Sequence, residues 1–157
     1  MFYSEYGYNP NDYGGMSWVW GQDYCFSFGS VSNDVSSLRY AGHGGDCRIS
    51  SLTLYEHEYF SGEEFYSGID VPSVPASMSR IDSITTTGSD WTVYTLPNYT
   101  GSQVCILAGG PPCYVALVTD LADLGISTVR SFRRGCFSER KIRLDTPHHG
   151  SVVKTRE

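Results

Sequence analysis

Positive charge is almost missing from most of this chain. Residues 1–132 carry 4 Lys and Arg side chains against 14 Asp and Glu. So acidic a body excludes a general nucleic-acid binder, whose footprint on the phosphate backbone has to be basic. Long apolar runs are missing too. No stretch approaches the roughly 18 uncharged apolar residues of a membrane-spanning helix, so no transmembrane segment is expected. No apolar segment follows Met1, so no signal peptide is expected within the numbered residues. Catalytic signatures are also absent. The chain has no Gly-x-Ser-x-Gly elbow and no glycine-rich phosphate loop ahead of a helix, so neither enzyme chemistry nor nucleotide use is expected. Helix-favouring runs are scarce, and the one helix-like stretch is Asp120–Leu124, a turn or two at most.

What the chain does have is glycine and aromatic rings: 17 Gly, 12 Tyr, 7 Phe and 3 Trp in 157 residues. Aromatic and β-branched residues alternate with polar ones, and Gly or Pro interrupts them every ten residues or so. That pattern predicts an antiparallel sandwich or barrel. The length suits one domain or two small ones, with enough chain to bury a hydrophobic core. The last stretch differs in charge: residues 133–157 carry 7 basic and 3 acidic side chains. Its end, 145–157, is expected to be a solvated, flexible C-terminal tail.

A repeat runs through the chain. Tyr8, Tyr55 and Tyr94 are each followed seven residues later by glycine, at Gly15, Gly62 and Gly101. A Ser/Thr-bearing strand follows each hairpin, with Ser37, Ser83 and Thr128 as the equivalent hydroxyls. The physics of such a unit is coherent. The ring packs over a folded hairpin, the glycine supplies a backbone angle that a Cβ disfavours, and the hydroxyl satisfies buried backbone groups. One four-stranded unit exposes an apolar face that it has to bury against another.

These residues resemble a known family. The segment Leu54-Tyr55-Glu56-His57-Glu58-Tyr59-Phe60-Ser61-Gly62-Glu63-Glu64-Phe65, followed by Gly88-Ser89-Asp90-Trp91-Thr92-Val93-Tyr94-Thr95-Leu96-Pro97-Asn98-Tyr99-Thr100-Gly101, is similar to the Greek key motif of the βγ-crystallin superfamily. The resemblance implies an all-β, antiparallel Greek key β-sandwich. One complete two-motif domain covers residues 48–144, and an extra N-terminal motif covers 1–47. The extra motif has to pack on the complete domain, borrow the C-terminal tail, or pair with another chain. It therefore points to a homo-oligomer or a protein partner. Ten aromatics within residues 1–28 fit core and hairpin packing, with an exposed binding surface as the other reading.

Many members of this family bind calcium through loops just before the hydroxyl-bearing strand, and that ion needs hard oxygen ligands. The first such loop here, residues 32–37, keeps Asn33, Asp34 and Ser36. The second, 78–83, loses its leading acids or amides and carries Asp82 where Ser or Thr belongs. The third, 123–128, keeps Asp123 and Ser127 but has Leu124 between them. Weak or partial calcium binding is the expectation, with plain turn capping as the bland reading.

Other candidate chemistry is thin. His57 lies between Glu56 and Glu58 on an expected strand, which puts it on the face opposite both glutamates. His43, Asp46 and Cys47 lack the spacing of a zinc site, and His148 and His149 sit in a Pro-Gly-flanked tail. Five cysteines leave one unpaired, and two bridges can form in 15 ways. Cys105 and Cys113 flank a turn-rich loop and are candidates to bridge across it, leaving two of Cys25, Cys47 and Cys136 to pair. With the Asn98-Tyr99-Thr100 sequon, this makes a secreted protein the favoured expectation, with a cytoplasmic one as the alternative.

The function expected is non-enzymatic: a structural or binding protein acting through self- or partner assembly. One alternative is a secreted recognition module, glycan-binding or part of a defence or pore-forming complex. Exposed Trp18 and Trp20 favour it, and their burial counts against it. The other is a proteinase inhibitor or toxin-like effector, which a protruding loop at 109–113 favours.

Overall fold

The computed structural model describes residues 1–20, 25–31, 33–44, 46–145 and 147–155. Three four-stranded sheets form. The first has the order β12-β2-β1-β3, from His149–Lys154, Gly14–Val19, Phe2–Tyr3 and Ser37–Leu38. The second is β5-β4-β6-β9, from Glu64–Ser67, Ser51–Tyr55, Ser83–Thr87 and Ala116–Val118. The third is β10-β7-β8-β11, from Ser131–Arg134, Trp91–Leu96, Thr100–Ile106 and Lys141–Ile142. The strand pairs are antiparallel except β11 on β8.

The second and third sheets interlock. β9 follows β8 in the chain but leaves that sheet to pair with β6, Ile84 opposite Val118. Val71 crosses the other way and bridges Phe132. This exchange makes two Greek keys one sandwich. Between the sheets lie Leu52, Leu54, Ile84 and Val118 on one side and Trp91, Val93, Val104, Ile106 and Phe132 on the other.

In an ordinary sandwich the opposite face of the second sheet is wet and its strands alternate. Here β4, β6 and β9 are buried at every position. The first sheet covers that other face. Tyr3, Met16 and Trp18 pack on Tyr55, Phe60, Val115 and Leu117. Each large apolar side chain buried this way contributes about 1.5–3 kcal/mol. The molecule is thus three layers, with the β5-β4-β6-β9 sheet in the middle.

The expected flexible tail is not one over residues 149–154. β12 pairs residue for residue with β2, from His149 opposite Val19 to Lys154 opposite Gly14. The outer edge of β2 offers unpaired backbone groups, and the tail satisfies them. Gly150 makes this approach possible, because a Cβ there would lie 2.1 Å from Cζ2 of Trp18. Trp20 fixes the entry to the strand. Its Nε1–H donates to the Pro147 carbonyl (2.9 Å), and its ring stacks on His148 at 4.1 Å.

The bridges also differ from expectation. Cys105 pairs with Cys136, and Cys113 with Cys47. A Cys105–Cys113 bridge does not form because the two sulfurs serve different layers. Cys105 lies on the outer side of the third sheet, where residues 135–138 cross it. Cys113 is buried in the cluster beneath the first sheet. Cys25 is free and exposed.

Candidate functional site

Each of the three units is closed by one serine hydroxyl. Ser83 Oγ accepts from the Phe60 N–H (2.9 Å) and donates to the His57 carbonyl (2.5 Å). Ser131 Oγ does the same for Tyr99 N–H (3.0 Å) and the Leu96 carbonyl (2.7 Å). Ser37 Oγ does it for Tyr8 N–H (3.2 Å) and the Glu5 carbonyl (2.6 Å). Counted back from these bonds, the unit aromatics are Tyr55, Tyr94 and Tyr3. The first is therefore not Tyr8, and the third hydroxyl is Ser131, not Thr128. The reason is local. Gly62 and Gly101 sit at φ +76° and +79°, but the corresponding position after Tyr3 is Pro10, whose ring forbids positive φ. There the last positive φ falls one residue earlier, on Asn9, after Gly7 and Tyr8, whose positive φ the other hairpins share at Tyr59–Phe60 and Asn98–Tyr99. His57 is not on a strand either. It follows β4, is buried, and its Nε2 lies 3.1 Å from the Pro10 carbonyl.

Two residues beyond the serine, the first and third units carry arginine, Arg39 and Arg133, where the second carries Thr85. Arg39 is 8% exposed and joins the first layer to the second. Its Nε donates to the Tyr3 phenol (3.0 Å), Nη1 to the Gly62 carbonyl (2.8 Å) and Nη2 to the Phe60 carbonyl. The guanidinium lies 5.1, 4.6 and 4.7 Å from the ring centres of Tyr3, Tyr8 and Tyr55. Gly62 N–H returns a bond to the Tyr8 carbonyl (2.9 Å). Burial pushes the Tyr55 phenol up to about 12 and raises that of Tyr3, with Arg39 opposing both. Burial also raises the Glu64 carboxyl, again against Arg39.

Beside this joint lies a cleft of about 590 Å³ between the first sheet and the second. Trp18, Trp20, Tyr40, Arg48, Thr85 and Thr87 are among its lining residues. Trp18 is buried and Trp20 half-buried against His148, so neither forms an open platform. At the rim Arg48 holds Asp46 in a fork and keeps its carboxyl down at about 2. Cys47 next to it is bridged, so its sulfur is no metal ligand.

The candidate calcium ligands are scattered. Asn33, Asp34 and Ser36 are exposed on one loop, with Asn33 at φ +75°, while Ser32 lies outside the described residues. Asp82 is ion-paired to Arg80. In the same corner Lys154 bonds Asp12 (2.7 Å) and Glu58 (3.3 Å). Cationic side chains thus hold the carboxylates of this corner, Asp82 of the second loop among them. With Ser131 as the third hydroxyl, the matching six-residue window is 126–131. It retains Ser127 and no acid, and Asp123 falls outside it, in the 3-10 turn Leu121–Leu124. Among the described residues no three His, Cys, Asp or Glu side chains converge as a metal site.

Interlocked hairpins, each closed by a serine, define a Greek key β-sandwich protein. The family model described as Beta/Gamma crystallin matches residues 51–134, more than half of the sequence, and the chain belongs to that family. Among curated relatives it is 35% identical over 66 residues to gamma-crystallin C of Macaca mulatta, covering 42% of this chain and 38% of that one. It is 28% identical over 101 residues to gamma-crystallin S of Macropus fuliginosus, 57% of each. The chain therefore spans only 38–57% of the length of these relatives. Among solved structures, a betagamma-crystallin from an archaeon shares 26% identity with a TM-score of 0.45, over 55% of this chain and 98% of that one. IPSE/alpha-1 from Schistosoma mansoni eggs shares 20% with a TM-score of 0.41, over 58% and 90%.

Proposed function

We propose that the chain is a non-enzymatic structural and binding protein that works through association of preformed sheet surfaces. The observation that carries this reading is the Arg39 joint. One Greek key unit of this chain meets another through a guanidinium set over tyrosine rings of both units and two arginine-to-carbonyl bonds. Two disulfides support an oxidising, extracellular setting. Sedimentation velocity of the oxidised chain over a wide concentration range is the test. A concentration-dependent rise in mass supports assembly, and strictly monomeric behaviour throughout, with calcium or chelator, removes self-assembly. Weak calcium binding by Asn33, Asp34 and Ser36 belongs to the same reading. Melting in excess calcium against chelator checks it, because a ligand of the native state raises stability by mass action.

The cleft favours a second reading, a recognition module for a small amphipathic or glycan ligand. Burial of Trp18 counts against a stacking platform for sugars, and saccharide titration that leaves tryptophan emission unchanged would remove the glycan version. Cys113, buried and bridged, pins down the loop an inhibitor would present, which weighs against that alternative.

A further inference from the structure

We propose that the outer face of the β10-β7-β8-β11 sheet is a self-association surface on which a second copy of this chain docks. This deepens the assembly reading above and rests on it.

The face repeats the residues of the internal joint. Tyr94, Tyr99, Ser131 and Arg133 stand where Tyr3, Tyr8, Ser37 and Arg39 stand in the first unit. Arg133 Nε donates to the Tyr94 phenol at 2.9 Å, as Arg39 Nε does to Tyr3 at 3.0 Å. Its guanidinium lies 5.6 and 5.3 Å from the Tyr94 and Tyr99 rings. The two sites differ in what lies beyond the arginine. The η nitrogens of Arg39 reach two carbonyls of the neighbouring hairpin. Those of Arg133 have no hydrogen-bond partner among the described residues. Tyr55 of the neighbouring unit supplies the third ring over Arg39, whereas Phe137 supplies it over Arg133 at 3.7 Å and remains 51% exposed. Leu96, on the β7–β8 hairpin that carries Tyr94 and Tyr99, is 53% exposed. An apolar rim around an arginine with unbonded donors is the composition of an interface centre.

Self-complementarity identifies the occupant. The internal joint needs an arginine on one side and, on the other, hairpin carbonyls five and seven residues after the unit tyrosine, Phe60 and Gly62. The third unit carries both halves on one face, since Tyr99 and Gly101 are the counterparts of those two residues. A twofold axis through this face sets Arg133 of each copy against the Tyr99–Gly101 hairpin of the other, an isologous contact made twice. The second unit cannot reciprocate in this way, because Thr85 stands in place of arginine. The internal joint is accordingly one-sided.

The test is sedimentation velocity on the full, oxidised chain, made without N-glycosylation because Asn98 lies on this hairpin. Wild type is compared with Arg133→Met and with Leu96→Lys. The second variant changes only an exposed side chain and guards against misfolding of the first. A reversible wild-type dimer is expected, with the dissociation constant raised at least about tenfold in each variant and unchanged circular dichroism. Wild-type association that both variants retain overturns this face and leaves the assembly reading intact. A wild type that stays monomeric at every concentration overturns both.

Discussion

Replacing Arg39 with methionine tests how the first layer is held to the second. The variant keeps the length of the side chain and removes the guanidinium. Three hydrogen bonds go: to the Gly62 carbonyl, the Phe60 carbonyl and the Tyr3 phenol. The Phe60 carbonyl keeps a donor, the Tyr3 phenol at 2.6 Å. The Gly62 carbonyl loses the arginine donor, and an orphaned buried acceptor costs about 1–3 kcal/mol. Loss of the cation from three aromatic faces adds about 0.5–2 kcal/mol. Part of this is offset, because a guanidinium no longer has to be stripped of water, and because Glu64, its ion-pair partner at 3.4 Å, is only partly buried. A net loss of about 2–4 kcal/mol is expected. It should fall on docking of the first sheet, since the core between the second and third sheets does not touch Arg39. The Gly62 amide is the reporter, because it donates across the joint to the Tyr8 carbonyl. Its hydrogen exchange should accelerate strongly in the variant, while amides of β7 and β8 stay protected. Unchanged Gly62 exchange together with unchanged melting would refute the view that Arg39 holds the layers together.

Gly62→Ala and Gly101→Ala should each destabilise by about 1 kcal/mol or more, because both sit at positive φ. A Cβ at Gly62 would lie 2.7 Å from His57 Cδ2, and one at Gly101 2.6 Å from Thr95 Oγ1, so melting temperatures unchanged in both would sink the hairpin account. Alkaline pH should release β12. Burial works to lower the Lys154 pKa, but its bonds to Asp12 and Glu58 outweigh burial and raise it above 10.5. A folded value above the unfolded one means the stabilisation is complete below about 10.5 and is lost as pH climbs through the folded value. Emission from Trp20, stacked on the residue before β12, should shift in that range in wild type but not in Lys154→Met, and identical profiles would refute this role for Lys154.

The second and third units were legible because their signals are local. Tyr55 with Gly62 and Tyr94 with Gly101 each lie on one hairpin, and Ser83 follows at the spacing the hydroxyl bridge needs. Tyr3 was hidden because Pro10 replaces the glycine, and the last positive φ of the turn falls one residue earlier, on Asn9, which no simple pattern flags. Ser131 lost to Thr128 for a similar reason: the 3-10 turn at Leu121–Leu124 shifts the approach to β10, so counting from the loop lands three residues early. Contacts between distant segments were out of reach. The Cys47–Cys113 bridge spans 66 residues, and β12 meets β2 from the far end of the chain, His149 opposite Val19. Neither partner carries a local mark of the other.

The least expected feature is the chemistry of the buried second face of the middle sheet. Ser51, Thr53, Ser83, Thr85 and Thr87 alternate there as on a solvated sheet, yet none is more than 4% exposed. Internal bonding accounts for much of this: Ser51 to Thr87 at 2.7 Å, Tyr55 to Thr85 at 3.1 Å, and Thr87 to the Ile49 carbonyl at 2.8 Å. Hydroxyls that bond one another lose little on leaving water, but they gain little apolar burial. The first layer is therefore held at discrete points more than by a broad greasy face. Those points are Tyr3, Met16 and Trp18 on Phe60 and Leu117, the Arg39 fork, the Cys47–Cys113 bridge and the Lys154 corner. An interface built from a few strong contacts on a hydroxyl-lined surface leaves room beside them, and the cleft at Thr85 and Thr87 is that room. The proposed docking face relies on the same economy of contacts, since it offers one arginine cassette, Arg133 with Tyr94 and Tyr99, on the third sheet.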